Sequence, residues 1–167
     1  MLCQALNIPL GYITQATFPL PKLGHTLREI SREIHFGHGF KIIRGFPVSR
    51  YSQRDNVIIF TGLSSYVASI RGRQDRKFDG KPADMVLAHI KDLTDTSEGN
   101  IIGSPSATAE DQAFHTDAGD VISLLVLGTS AEGGQSKLAS FGKIYNDIAQ
   151  SRPDLIWTML EDWAFEL

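Results

Sequence analysis

The stretch Phe114-His115-Thr116-Asp117-Ala118-Gly119 leads into the apolar run Val121-Ile122-Ser123-Leu124-Leu125-Val126-Leu127. The apolar, β-branched composition of that run predicts a strand. Side chains two apart on an extended chain project to the same side, so His115 and Asp117 could both reach one metal ion. The triplet alone is a weak signal. Taken alone it is more typical of a hydrogen-bonded histidine at a strand edge, with Asp117 and Gly119 forming a turn.

The sequence on either side of this stretch predicts helices and strands in an irregular order. On the carboxyl side we expect a turn at 128–134, a second strand, Gln135–Ser140, and helices over Phe141–Ala149 and Pro153–Leu160. On the amino side, Leu23, Leu27, Ile30 and Ile34 recur at helical spacing. They predict a helix over 22–36, ended by glycines.

Three more elements complete the predicted order. Ser52 followed by Asp55 is typical of a helix start, and an apolar stripe continues from there. Its members are Ile59, Leu63, Val67 and Ile70. Phe40–Arg44 and Met85–Ile90 have strand character, and polar loops are expected at 71–77 and 91–112. Helices, then strands, then helices predict an α+β domain.

Composition restricts the class of protein. The 167 residues are 42% hydrophobic and carry a net charge of −3, as expected for one globular domain. A mildly acidic chain is a poor match for nucleic acid or for an anionic membrane surface. Its longest apolar run is far shorter than the roughly 20 residues of a membrane span. With one cysteine, Cys3, and no signal-peptide pattern, a cytoplasmic location is predicted.

The segment Phe114–Ser140 resembles the Fe(II)/2-oxoglutarate-dependent oxygenases of the taurine dioxygenase family, often called TauD/TfdA-like. The likeness rests on Phe-His-Thr-Asp, the apolar run, Glu132-Gly133-Gly134-Gln135-Ser136 and a following helix with Tyr145. It extends upstream through 39–45 and covers the chain from about residue 20. The resemblance implies one oxygenase domain over 1–167, with residues 1–20 peripheral. It also implies part of a double-stranded β-helix (jelly roll) with flanking helices, incomplete at the carboxyl end.

The resemblance implies specific site residues. His115 and Asp117 would be two iron(II) ligands, and the Ser136 hydroxyl would help to hold the 2-oxoglutarate carboxylate. Phe114 stands where members of the family often carry tryptophan. The expected reaction is the oxidation of a small organic molecule, with Fe(II) as the metal and 2-oxoglutarate as the co-substrate. A basic loop at 71–77 would permit an anionic substrate.

Two expected site residues have no counterpart in the sequence. The family's third ligand is a later histidine, followed by an arginine that binds 2-oxoglutarate, whereas no histidine follows Asp117. Arg152, the only later arginine, is interpreted as a solvated residue at a helix start. His35 and His38 fit a helix end better than a metal site. His89 is interpreted as a hydrogen-bonded core residue, with a pocket-facing position as the alternative.

Two explanations for the missing residues stay open. The chain is either the amino-terminal portion of a longer oxygenase or a non-catalytic remnant or binding module of the same fold. If the barrel is incomplete, unpaired strand edges are expected to cause self-association, including a homo-oligomer. The partners expected otherwise are small molecules.

Overall fold

The structure is a computed structural model that describes residues 8–72, 86–93 and 108–164. Within these ranges the regular elements are four α-helices and two short 3-10 helices. The α-helices are α1 (Gly24–Phe36), α2 (Gln53–Val67), α3 (Phe141–Ser151) and α4 (Pro153–Met159). The 3-10 helices span Leu10–Tyr12 and Val48–Arg50. The chain divides into two compact units, Met1–Leu127 and Gly128–Leu167.

Helix α1 confirms the helix predicted from its apolar stripe. It begins at Gly24, two residues after the predicted start, and ends at Phe36. Leu27 is the buried residue of the stripe, 2% exposed. Gly39 follows the helix end with φ of 81°, in the left-handed region that glycine adopts without steric cost.

Helix α2 confirms the start signal read from Ser52 and Asp55. The Ser52 hydroxyl accepts a hydrogen bond from the Asp55 backbone N–H at 3.1 Å, which satisfies one of the free donors of the first turn. The fully buried residues differ from the predicted stripe, of which Ile59, Leu63 and Val67 are half-buried and Ile59 packs against the core cluster. Ile70 lies beyond the helix end and is 90% exposed. The residues that α2 buries are Asn56, Ile58, Thr61, Gly62, Ser65 and Tyr66.

The core of the first unit forms where the amino-terminal segment meets α2. Ile13, Phe18 and Ile58 make one buried cluster. Gly62 explains the choice of face, because a Cβ there would lie 2.3 Å from Cδ1 of Phe18. The Tyr66 hydroxyl fixes the same segment. It accepts from the Leu20 backbone N–H at 2.8 Å and donates to the Phe18 carbonyl at 3.2 Å.

The predicted fold class is wrong. The described residues contain no β-strand, so neither the α+β sheet nor the jelly roll is present in them. The stretches 40–44, 86–90, 121–127 and 135–140 have no regular secondary structure, and Met85 lies outside the described ranges. Leu124, for example, is 66% exposed. β-Propensity favours a pleated, half-buried surface, and a strand forms only where a neighbour pairs its N–H and C=O groups.

The second unit consists of α3 and α4 with the segment before them. Ser140 caps α3 by accepting from the Lys143 backbone N–H at 3.2 Å, and Pro153 occupies the first turn of α4, as predicted. Neither helix has a buried residue. Trp157 is 74% exposed. The unit therefore has helical structure without a core of its own in its described part.

In the ranges described, no helix has the length and apolar character that crossing a membrane requires.

Candidate functional site

The predicted metal-ligand pair lies in the first unit, in a segment without regular secondary structure. The Nε2 atom of His115 lies 3.8 Å from the Oδ1 atom of Asp117. Both side chains are more than half exposed. The two side chains therefore face each other across Thr116, as the two-residue spacing predicts, even though the segment forms no strand.

The imidazole of His115 is oriented by its own backbone. Its Nδ1 atom lies 2.8 Å from the Ala113 carbonyl oxygen, and a carbonyl can only accept, so Nδ1 carries the hydrogen. In the neutral ring this leaves a lone pair on Nε2, the atom that lies 3.8 Å from Oδ1 of Asp117. A histidine ligand in a metal site commonly donates its other ring N–H to such a carbonyl. The backbone thus selects the tautomer that metal binding needs.

The two atoms are close enough for one cation to reach both after a small movement of the exposed side chains. At 3.8 Å the two atoms are too far apart for a hydrogen bond, and both are acceptors when the ring is neutral. A cation between them would satisfy both. Imidazole and carboxylate are ligands that suit non-haem iron(II). Among the residues that the structure describes, however, no group of three His, Cys, Asp or Glu side chains is placed to hold a metal.

The apolar run after the pair is tethered to α2 through a serine. The Ser123 hydroxyl lies 3.2 Å from that of Ser64. Ser123 is the one polar residue of the run, and that interruption was the only sequence signal for this contact. The tether links the segment carrying the ligand pair to the helical part of the first unit.

Ser136 lies in the second unit and is exposed. A turn precedes Ser136. Gly133 and Gly134 in this turn both adopt the left-handed region, with φ of 67° and 69°. The Ser130 hydroxyl closes this turn by donating to the Gly133 carbonyl at 3.0 Å. The role of Ser136 toward 2-oxoglutarate stays a prediction, as do the metal roles of His115 and Asp117.

Two further histidines, His35 and His38, bond to residues of α1. The Nδ1 atom of His35 donates to the Ser31 carbonyl at 2.7 Å. His38 contacts the Glu33 carboxylate just beyond the helix end, and the hydrogen bond from its ring lowers the pKa of Glu33. These contacts agree with the structural interpretation of both residues. His89, in contrast, is exposed and lines a cleft, so the core interpretation does not hold for it.

Arg152 confirms its interpretation as a surface residue. Its Nη2 atom lies 2.6 Å from Oδ2 of Asp154 in the first turn of α4, and both side chains are 60% exposed. The hydrogen bonds between them raise the pKa of Arg152 and lower that of Asp154. The guanidinium of Arg152 is thus paired with Asp154 at the start of α4.

Comparison with known proteins places the chain in a family. Residues 7–165 match the family described as "Taurine catabolism dioxygenase TauD, TfdA family". The chain belongs to the TauD, TfdA family. This confirms the resemblance carried by Phe114–Ser140 and shows that the chain is a member of a dioxygenase family.

Two curated proteins are similar to this TauD, TfdA family member. The "Taurine hydroxylase-like protein SAT17" of Stachybotrys chartarum is 39% identical over 162 residues, covering 93% of this chain and 40% of that protein. The "FR-33289 synthase" of Streptomyces rubellomurinus is 22% identical over 144 residues, covering 83% and 39%. The chain thus spans about two fifths of the length of the curated relatives it matches. No solved structure matches it significantly.

Proposed function

We propose that this chain supplies two iron ligands, His115 and Asp117, to a non-haem Fe(II)/2-oxoglutarate-dependent dioxygenase that oxidises a small organic molecule. The observation that carries the proposal is the geometry of the pair. Nε2 of His115 faces Oδ1 of Asp117 at 3.8 Å, and the Ala113 carbonyl fixes the ring. Membership of the TauD, TfdA family supports the same chemistry.

In this proposal the two ligands act differently. The His115 Nε2 lone pair and the Asp117 carboxylate each donate electrons to the metal, while the Nδ1–H bond to Ala113 keeps the imidazole from rotating away. The carboxylate also contributes a negative charge that offsets part of the charge of the cation. When bound, iron(II) with 2-oxoglutarate would supply the oxidising step.

Ser136 is proposed to donate its hydroxyl hydrogen to a carboxylate oxygen of 2-oxoglutarate. The two left-handed glycines before it support this role, because residues without side chains let a ligand approach the backbone closely. The third metal ligand and the arginine for 2-oxoglutarate are proposed to come from outside the 167 residues. The coverage of the relatives, about two fifths of their length, supports this part.

Anaerobic addition of Fe(II) and 2-oxoglutarate to the purified chain tests the proposal. We expect a visible charge-transfer band that is lost in His115→Ala and in Asp117→Ala. His25→Ala is the matched control, because His25 is an exposed histidine on α1 and should leave the band unchanged. A band of equal intensity in all three variants, or a band lost equally in His25→Ala, would contradict the proposal.

Sequencing the mature transcript past the Leu167 codon tests the completion of the site. An in-frame histidine followed by an arginine is the expected result. A stop codon with neither residue nearby would overturn that part of the proposal without affecting the His115 and Asp117 assignment.

The second candidate function is a non-catalytic remnant or binding module. The observation that favours it is the lack of a third ligand in the part of the chain that the structure describes. This alternative predicts no succinate release when oxygen is admitted, even if metal binds. Succinate formed by the unsubstituted chain and not by His115→Ala would exclude it.

Self-association is also proposed, although not through strand edges, since the described residues hold none. Exposed apolar side chains support it, among them Phe141, Trp157 and Trp163 in the second unit. Light scattering should report a mass above 18.4 kDa that rises with concentration. A monodisperse monomer at every concentration would contradict it.

A further inference from the structure

The apolar run after the candidate metal ligands buries one side of its chain. Residues 109–120 are all exposed, whereas Val121 and Leu125 in the run are half-buried. Leu124, between them, is 66% exposed. Side chains two apart on an extended chain project to the same side, so this pattern places Ser123 on the same side as Val121 and Leu125. That side of the run is the one that meets the rest of the first unit.

A pair of hydroxyls joins this side of the run to α2. The Ser123 hydroxyl lies 3.2 Å from that of Ser64, which is 59 positions earlier in the last turn of α2. Either hydroxyl can donate to the other. Ser65 and Tyr66, the next two residues of α2, are buried, so the backbone that carries Ser64 is held by the packed part of the unit. The contact therefore links a mostly exposed segment to a fixed point.

The link lies close to the candidate metal ligands in sequence. Asp117 is six positions before Ser123. The contact that orients His115 is to the Ala113 carbonyl of its own segment, so it fixes the ring on the segment and not the segment on the unit. The hydrogen bond between Ser64 and Ser123 supplies a contact of the second kind.

We propose that Ser64 is a positioning residue for metal binding and acts through Ser123. The inference rests on the proposed function, because it concerns metal binding by His115 and Asp117. Without the hydrogen bond the ligand segment samples more positions, and the metal must then supply the free energy that orders it. One neutral hydrogen bond corresponds to a factor of roughly two to ten in an equilibrium constant. We therefore expect Ser64→Ala to weaken Fe(II) binding about threefold.

NMR relaxation of the metal-free chain tests the link itself. In Ser64→Ala we expect lower backbone order parameters over 114–119, although the substitution is far away in the sequence. Ser64→Thr retains a hydroxyl and should restore the original values. Ser69→Ala is the matched control, because Ser69 is exposed just beyond the end of α2. Order parameters over 114–119 that are unchanged in Ser64→Ala, or lowered equally in Ser69→Ala, would overturn the proposal.

Anaerobic titration with Fe(II) measures the consequence for the ligands. The paramagnetic ion broadens the resonances of nearby nuclei, so the broadening at His115 reports binding at the pair. Ser64→Ala and Ser123→Ala should each require about threefold more Fe(II). The double variant should require no more than either, because both substitutions remove the same hydrogen bond. Additive losses in the double variant would overturn the proposal.

Two further measurements separate the possible failures. Urea unfolding should show no loss of stability in Ser64→Ala, because alanine is the better helix former, so weaker binding would not reflect unfolding. Equal Fe(II) binding by Ser64→Ala and the unsubstituted chain would overturn the positioning role and leave the metal assignment of His115 intact. Broadening at His25 as strong as that at His115 would overturn the metal assignment and, with it, the role of Ser64.

Discussion

Two regions of the first unit contrast in how they are built, residues 8–72 and residues 108–127. The former hold α1 and α2 and every buried hydrophobic residue of the described chain, such as Ile13 and Tyr66. The latter carry His115 and Asp117, yet no residue among them is buried. Packing that stabilises the unit and side chains that could bind a metal therefore belong to different stretches of sequence. Substitutions should act on one property or the other.

The largest effect is expected from the core. Ile13 is fully buried, and Ile13→Ala would leave a cavity against Phe18 and Ile58. We expect a loss of about 2 to 5 kcal/mol in the free energy of unfolding, measured with urea. The control is Ile42→Ala, because Ile42 is 71% exposed and its truncation should cost almost nothing. Equal losses in both variants would show that the core is not where the structure puts it.

A smaller effect is expected at Arg71, which joins the amino-terminal segment to α2. Its guanidinium donates to the Leu10 and Gly11 carbonyls at 3.4 and 3.3 Å and to the Thr61 carbonyl at 2.8 Å. Partial burial lowers the pKa of Arg71. Arg71→Met would remove these donors and should cost about 1 to 2 kcal/mol in the same urea assay. Exposed Arg50 is the control, and an Arg50→Met loss of the same size would refute the assignment.

The caps of α2 and α3 allow the packed region to be compared with the unpacked second unit. Ser52 and Ser140 each accept a hydrogen bond from the backbone N–H three residues on, at 3.1 and 3.2 Å. Ser52→Ala should lower the free energy of unfolding by about 1 kcal/mol. Ser140→Ala should reduce helicity, seen by circular dichroism, without moving the cooperative transition, because α3 buries no residue. A shift of that transition by Ser140→Ala would show that α3 is coupled to a core.

A pH-dependent effect is expected at the end of α1. The hydrogen bond from His38 lowers the pKa of Glu33 below its ordinary value of 4.5. The folded state thus prefers the carboxylate, and its contribution is present above 4.5 and lost as the pH falls through the lower folded pKa. Because the group is at the surface, the effect should be small. Urea midpoints of the unsubstituted chain and Glu33→Gln should converge in acid and differ at neutral pH; a constant difference would disprove the contact.

The smallest effect on stability is expected where the candidate chemistry lies. His115 is more than half exposed, so His115→Ala should change the free energy of unfolding by less than about 0.5 kcal/mol. The same variant is expected to abolish the charge-transfer band. A loss of stability comparable to that of Ile13→Ala would mean that His115 is a structural residue.

Local signals in the sequence predicted the helices well and the sheet badly. Ser52 with Asp55, and Pro153, gave the starts of α2 and α4, because capping and proline geometry depend on neighbours in sequence. The stretch 121–127 has equally strong strand composition but forms no strand in the structure. Strand pairing depends on residues far away in the chain, which composition does not specify.

The candidate site was predicted in part. The spacing of His115 and Asp117 was enough to expect both side chains on the same side of the chain, and the structure places Nε2 of His115 3.8 Å from Oδ1 of Asp117. The Ala113 carbonyl that selects the tautomer had no sequence signal, and the interruption of the apolar run at Ser123 did not identify Ser64 as its partner, since both contacts depend on the path of the backbone. The cytoplasmic location stays a prediction.

The sequence by itself determined the family, the helix starts and the presence of the His-x-Asp pair, because each depends on residue identity and short spacing. Only the tertiary structure decided which face of α2 is buried. The periodic stripe pointed to Ile59 and Leu63, whereas the absence of a side chain at Gly62 lets the Phe18 ring pack there instead. Close packing depends on the shape of both partners, and a hydrophobic pattern along one helix contains only half of that information.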